Sequence, residues 1–357
     1  MTIDSKFALA SHPSFRVSGG MGDTLICCGV VSNLPCKKTV FVRKHLVPLM
    51  RHMKWLEDVQ PITAANNFRG VKNYTSSHNF DDCFANWSFL TSKEYYTAAM
   101  NHIGLTDTDF KHGVIGQFDF PCKRRTYDWA IHTGASNPNR QWTKKNWFDL
   151  AVSLSAAGQS VCFLGTKSEW GFTDEAANIK KLSDDTDDIV SQTETLSGCR
   201  HFIGNDSGFC HLAGILGLDG HVLFFNTHPE QVIARYPSLK AIHQFDSIGE
   251  PSRALSPHDK QSCEAISNMT LDFVCERLGL DSKESAVFTN LLEITIIGNS
   301  QKSLLFRNNL TETFSLVPNS EIKILPDYNL VEVNGKTFSF FGGPYDLQRF
   351  LRDLGVA

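Results

Sequence analysis

Twice along this chain an apolar, strand-like run ends in a corner of glycine and short polar residues, and helical spacing takes over at once. The first instance is SFRVSGGMGDTLICCGVV, residues 14–31; the second is CRHFIGNDSGFCHLAGILG, residues 199–217. A strand that feeds a helix in this way returns to its own sheet by a crossover, which commits neighbouring strands to parallel pairing. The alternation continues beyond each corner. KTVFVRK (38–44) reads as a strand, LVPLMRHMKWL (46–56) and YYTAAMNHIGL (95–105) as helices, and PCKRR (121–125) as a linker. YDWAIHTG (127–134), SVCFLGT (160–166) and HVLFFNT (221–227) then read as strands. KKNWFDLAVSLSAAG (144–158), DEAANIKKL (174–182) and CEAISNMTLDFVCERLGL (263–280) read as helices. The expectation is an α/β chain with two doubly wound, Rossmann-like domains, residues 1–125 and 126–285, and a crevice at the carboxyl ends of their strands.

From about residue 288 the pattern changes. LLEITIIG, KSLLFRN, TFSLVP, EIKILP and NLVEV-NG-KTFSFF are short β-rich runs between polar breaks, and Asn334-Gly335 between alternating runs is a strong hairpin signal. YDLQRFLRDL (345–354) reads as a last helix. Residues 286–357 are therefore expected to form a small antiparallel β/α appendage.

Composition excludes several classes. No apolar run approaches the roughly 20 residues that span a bilayer, and the N-terminus lacks the charged and apolar regions of a signal peptide. The ten cysteines show neither a C-x-x-C pair nor zinc-ligand spacing, which points to reduced thiols and a cytoplasmic setting (host cytoplasm if the gene is a phage's). The net charge of −4 is unevenly spread. Residues 1–130 hold 15 Lys and Arg against 11 Asp and Glu, and the basic excess is sharpest over 36–72. A solvated basic face explains this as well as an anionic partner does. On the second reading Lys37, Lys38, Arg43 and Lys44 are the acceptor-binding candidates.

Three clusters carry chemistry. In GNDSG (204–208) a helix start exposes backbone N–H groups and the positive end of the dipole, with Ser207 and Gly208 allowing close approach of an anion. His211, four residues on, shares the helix face of Ser207. Capping by Asp206 or Ser207 alone leaves Asn205, Gly208 and His211 unexplained together. In AIHTGASNPNRQWTKKNW (130–147) a small, polar turn at 133–136 precedes Arg140, Lys144 and Lys145; a guanidinium suits phosphate, and lysines at a helix start oppose the dipole unless an anion is near. In SGGMGDTL (18–25) Gly19, Gly20 and Gly22 let backbone pass close to a bound molecule. Asp23 stands at the following helix start, as an N-cap or as a carboxylate facing the crevice. The spacing is not G-x-G-x-x-G, which disfavours a dinucleotide dehydrogenase.

In combination GGMGDTL, IHTGASNPNRQWTKKNWFDLAVSLSAAGQSVCFLGTKSE and CRHFIGNDSGFCHLAGILG resemble glycosyltransferase family 9, the ADP-heptose:lipopolysaccharide heptosyltransferase-like proteins of the GT-B fold. The resemblance covers residues 15–34 and roughly 126–226. It implies a nucleoside-diphosphate sugar bound by the second domain as co-substrate, an acceptor on the first, and transfer without a metal or other cofactor. By position it makes Asp23 the catalytic base, places Ser136 and Arg140 in the donor-phosphate loop, and makes Asp206, Ser207, Gly208 and His211 the diphosphate corner. Lys167 falls where several relatives carry an acidic group near the donor ribose, with Glu169 two positions on. The acceptor domain is shortened and the β-rich tail is foreign to the family.

The leading expectation is thus sugar transfer to a hydroxyl of an anionic acceptor, a phosphorylated lipopolysaccharide core by resemblance. DNA bearing a hydroxymethylated cytosine, as in phage DNA modification, is the alternative, and there the base must leave the stack. A non-catalytic sugar-nucleotide-binding module and a GT-B epimerase are the other readings.

Overall fold

In a computed structural model of the chain the described residues are 12–63, 77–80, 94–106, 114–120, 126–170, 179–181, 188–249, 251, 260–280 and six strands between 294 and 339. The PCKRR linker, Arg69, Lys72, Asn334-Gly335 and the run YDLQRFLRDL lie outside them. The chain divides into two compact units, one reaching to Leu280 and the other built mainly on Asp281–Ala357.

The first unit holds two parallel sheets. One joins β1 (Ser14–Val17), β2 (Thr39–Val42), β3 (Asp58–Pro61) and β4 (Ser77–Asn79) in the order β3-β2-β1-β4. The other joins β5 (Tyr127–His132), β6 (Val161–Leu164), β7 (Ile179–Lys181), β8 (Cys199–Asn205), β9 (Asp219–Leu223) and β10 (Leu239–Ile242) in the order β7-β6-β5-β8-β9-β10. Each order reverses direction once, at β1/β4 and at β5/β8. These are the switch points where an open α/β sheet leaves a crevice for ligands. Every residue of β6 is buried, as expected of a parallel strand covered on both faces.

The helices are α1 (Met21–Val31), α2 (Val47–Met50), α3 (Tyr95–His102), α4 (Lys144–Ala156), α5 (Lys167–Trp170), α6 (Ile189–Ser197), α7 (Gly208–Leu216), α8 (Pro229–Ile233), α9 (Phe245–Ile248), α10 (Lys260–Asn268) and α11 (Leu271–Leu278). Helix α7 is apolar all round and buried from Phe209 to Ile215, so it forms part of the core and not a surface layer. The core runs continuously from Phe15, Leu25 and Val40 of the first sheet region to Phe202, Leu212 and Phe224 of the second.

Three of the expected helices differ in the structure. The helix expected over 46–56 stops at Met50, because the chain turns toward the 114–120 segment. There the Lys54 N–H donates to the Gln117 carbonyl (2.6 Å), Met53 bridges to Phe118, and Trp55 adopts a left-handed φ of 61°. Within DEAANIKKL, residues Ile179–Lys181 form an edge strand on β6 where a helix was expected. The helix expected over 263–280 is two, α10 and α11. The Trp142 indole N–H takes the Met269 carbonyl (2.6 Å), and the Thr270 hydroxyl caps the new helix at the Phe273 N–H.

The second unit contains two three-stranded antiparallel sheets where one was expected. One is Ile294–Ser300, Ser303–Asn308 and Phe314–Pro318; the other is Ile322–Leu325, Leu330–Val333 and Lys336–Ser339.

Candidate active site

Asp23 is the third residue of α1, just beyond the carboxyl end of β1. Its Oδ2 accepts the Gly20 N–H at 2.8 Å, and Gly19 lies so close to that carboxylate that any Cβ there would overlap it. The carboxyl is thus fixed by the glycine turn, while Oδ1 accepts no hydrogen bond among the described residues. Burial raises its pKa above the ordinary carboxylate value, and Asp206 adds to this. The Gly20 N–H, Arg140 and Arg43 pull the other way. A partly desolvated carboxylate of raised basicity suits proton removal from a hydroxyl.

The second corner opens α7. Ser207 occupies the N-cap position yet makes no side-chain cap, and the Gly208 and Phe209 N–H groups have no hydrogen-bond partner among the described residues. No acidic residue lies in the first turn of α7, so the positive end of its dipole is unopposed within the helix. Asp206 is 4% exposed and faces Arg140 at 3.4 Å, between Oδ2 and Nη1. Arg140 has its pKa raised first by Asp206, with burial opposing and Tyr95 and Asp23 contributing. One guanidinium therefore feels the carboxylates of both corners.

The corners also touch. A Cβ on Gly22 would come within 2.9 Å of the His211 ring, and one on Gly208 within 2.8 Å of Met21 Cβ. Only glycine permits helix starts this close. His211 is buried, its Nδ1 lies 3.0 Å from the Tyr236 hydroxyl, and that hydroxyl lies 2.9 Å from the Tyr96 hydroxyl on α3. Burial pushes the His211 pKa down to about 4, which leaves the ring neutral at pH 7.

Asn205 has a different place from the ligand-facing one expected. Fully buried, it donates to the Thr133 carbonyl (2.6 Å) and accepts the Trp142 N–H (3.2 Å), so both ends of its amide are used in tying the 133–142 loop to β8. Ser136 is exposed on that loop. Lys167 opens α5, and its side chain is not among those described. Lys145 pairs with Asp149 at 2.6 Å, which accounts for that lysine at a helix start without a ligand.

One side chain, His132, was not among the residues singled out from the sequence, and Glu169, noted there only as the acid near Lys167, is its neighbour. His132, the last residue of β5, sits at the β5/β8 switch point with its Nδ1 3.0 Å from Ser207 Oγ, its Nε2 3.9 Å from Glu169 Oε1 and its ring 4.3 Å from that of Phe209. Glu169 accepts from the Thr166 N–H (2.6 Å) and lies against Gly134 and Gly165, whose positive φ of 97° favours glycine. A histidine ending a strand at a switch point was the available signal.

The acceptor-binding set separates. Lys37 and Lys38 precede β2 and so stand at the amino end of the sheet, away from Asp23. Lys38 is 1% exposed, donates to the Leu34 carbonyl (2.9 Å), and burial lowers its pKa; it is an interior brace and not part of a basic surface. Arg43 and Lys44 follow β2 at its carboxyl end and are exposed, and Arg43 Nε donates to the Ser18 carbonyl at 2.6 Å. Among the described residues no group of three or more His, Cys, Asp and Glu is placed to hold a metal ion, and no helix is long and apolar enough to cross a membrane.

Residues 92–244 match the family model described as glycosyltransferase family 9 (heptosyltransferase). The structure is similar to that of E. coli ADP-heptose LPS heptosyltransferase II, with a TM-score of 0.55 at 14% identity, over 77% of this chain and 99% of that one. It is also similar to the E. coli heptosyltransferase WaaC with ADP (TM-score 0.52, 10% identity, 75% and 99% covered). A third is the iron-containing dodecameric glycosyltransferase TibC from enterotoxigenic E. coli H10407 (TM-score 0.53, 12% identity, 75% of each chain). At these identities the likeness establishes a GT-B-like, heptosyltransferase-type fold. No curated protein matches the sequence.

Proposed function

We propose that this protein transfers a sugar from a nucleoside-diphosphate sugar to a hydroxyl of an anionic acceptor, with Asp23 as general base. The observation that carries this reading is the charge cluster shared by the two corners: Arg140 pairs with Asp206 beside the open α7 amides and also bears on the Asp23 carboxyl. The diphosphate of the donor lies on the Gly208 and Phe209 N–H groups and on Arg140, with Ser136, Lys167 and Ser207 nearby. Asp23 takes the proton of the acceptor hydroxyl as that oxygen forms its bond to the anomeric carbon. The bond from that carbon to the diphosphate oxygen breaks, and the charge left on the nucleoside diphosphate is stabilised by the amides and the guanidinium. Arg43 and Lys44 draw the anionic acceptor to the Asp23 side, and no metal takes part. The WaaC structure with ADP makes an adenine nucleotide the first donor type to test.

The test is release of nucleoside diphosphate from ADP-, UDP- and GDP-sugars, with and without phosphorylated lipopolysaccharide core or hydroxymethylcytosine DNA, in buffer with and without EDTA. Release that depends on one acceptor and survives EDTA is expected. Donor binding without release for any acceptor overturns transfer in favour of a binding module, and release with DNA alone overturns the saccharide acceptor.

A further inference from the structure

The geometry points to His132 as a positioning residue that holds the Ser207 hydroxyl away from its own helix and so keeps the α7 amides open for the donor diphosphate. This rests on reading the start of α7 as the diphosphate corner. A serine at an N-cap ordinarily turns its oxygen onto the N–H of the second or third helical residue, satisfying an orphan donor. Ser207 has the extended backbone of an N-cap (φ −155°, ψ 175°) but no such bond. Its Oγ lies 3.0 Å from His132 Nδ1 instead.

The imidazole is held between Phe209, Gly165 and Glu169. The Phe209 ring lies tilted against it at 4.3 Å, a Cβ on Gly165 would meet the ring at 3.2 Å, and one on Gly204 would meet the His132 carbonyl at 2.9 Å. The Glu169 carboxylate stands 3.9 Å from Nε2. A carboxylate on that side favours the proton on Nε2, which leaves Nδ1 as acceptor for the Ser207 O–H. Burial keeps the ring neutral, pushing its pKa down to about 4 with Glu169 opposing. A neutral, immobile acceptor is what this task needs, since a protonated Nδ1 would donate to Ser207 and release its hydrogen. Glu169 is itself pinned by the Thr166 N–H and hydroxyl, so the chain Thr166–Glu169–His132–Ser207 runs from the end of β6 to the start of α7. Without His132 the hydroxyl falls back onto α7 and competes with a phosphate oxygen for the same amides.

The experiment titrates the full-length protein with ADP, UDP and GDP by calorimetry and follows transfer kinetics with the matching sugar. His132→Phe is expected to raise the dissociation constant of the tightest-binding nucleotide about five- to tenfold, the scale of one cap. KM for the donor should rise with it while KM for the acceptor stays unchanged. His132→Asn, whose amide can reach the Nδ1 position, should recover most of the loss. In a Ser207→Ala background His132→Phe should add nothing further. Additive losses in that double variant, a fall in kcat with donor affinity intact, or failure of Asn to rescue while both variants melt like the parent protein would each overturn the role of His132. Arg140→Ala separates the two levels of the argument. If it weakens nucleotide binding and His132→Phe does not, the positioning role alone fails; if neither does, or the unaltered protein binds none of the three nucleotides, the diphosphate corner itself is wrong.

Discussion

The two strand-to-helix corners use nearly the same residue types and end with opposite electrostatic character. At the first, the acid sits inside the helix, at the third residue of α1, and folds back on the Gly20 N–H. At the second, the acid comes just before the N-cap, is buried, and is matched by Arg140. A shift of a few positions relative to the cap thus decides whether a glycine corner presents a carboxylate or presents amides. The pair shares one charge cluster, whose halves face donor and acceptor on the reading proposed above.

The comparison breaks most visibly at Asp23. Asp23→Asn keeps the side-chain contact to Gly20 but removes the base, so kcat should fall by about 10²–10⁴, the usual contribution of a positioned base, with donor affinity within a few-fold. Steady-state rates paired with nucleotide titration check both halves; unchanged turnover removes Asp23 from the mechanism. On the other corner Arg140→Ala should weaken nucleotide binding by about 1.5–3 kcal/mol, the scale of a charged hydrogen bond. It also strands the buried Asp206 carboxylate, so a lower melting temperature should accompany the loss. Gly208→Ala tests how closely the corners must meet: its methyl would lie 2.8 Å from Met21 Cβ, and overpacking of this kind costs about 1–3 kcal/mol in thermal or denaturant unfolding.

Acid sharpens the contrast further. His132 and His211 are neutral in the fold down to about pH 4, whereas in the unfolded chain they take up protons near the ordinary value of 6.5. Between these limits the unfolded state binds more protons, so stability should fall as pH is lowered from about 6.5 to 4. Urea midpoints across that window, compared with those of His211→Gln, measure it. With Asp23 as the proposed base, its raised pKa should place the acidic limb of kcat/KM above the usual carboxylate range, which a pH–rate profile checks. The smallest effect divides the basic residues. Arg43→Ala should raise acceptor KM a few-fold, while Lys38→Met, at an interior site, should change stability and leave acceptor KM alone.

Much of this was legible in the sequence because the local signals and the tertiary fold agree. Parallel pairing, both corners and Asp23 follow from where apolar runs meet glycine. The errors fall where a distant partner decides. Ile179–Lys181 carries no strand signal of its own, and only the open edge of β6 makes it one. Met269 ends a helix because the Trp142 indole N–H claims its carbonyl from 127 residues away. The sign of the charge over 36–72 was readable, but its use was not: Lys37 and Lys38 enter β2 and Arg43 leaves it, which puts them at opposite ends of the sheet. His132 went unassigned because its partner Ser207 lies 75 positions along the chain.

The hydrogen-bonded line from His211 through Tyr236 to Tyr96 runs beside the Arg235–Glu94 ion pair at 2.9 Å, and both cross between the two Rossmann-like halves. A wide hinge swing would have to rupture this seam, exposing phenolic hydroxyls and a guanidinium that are now matched.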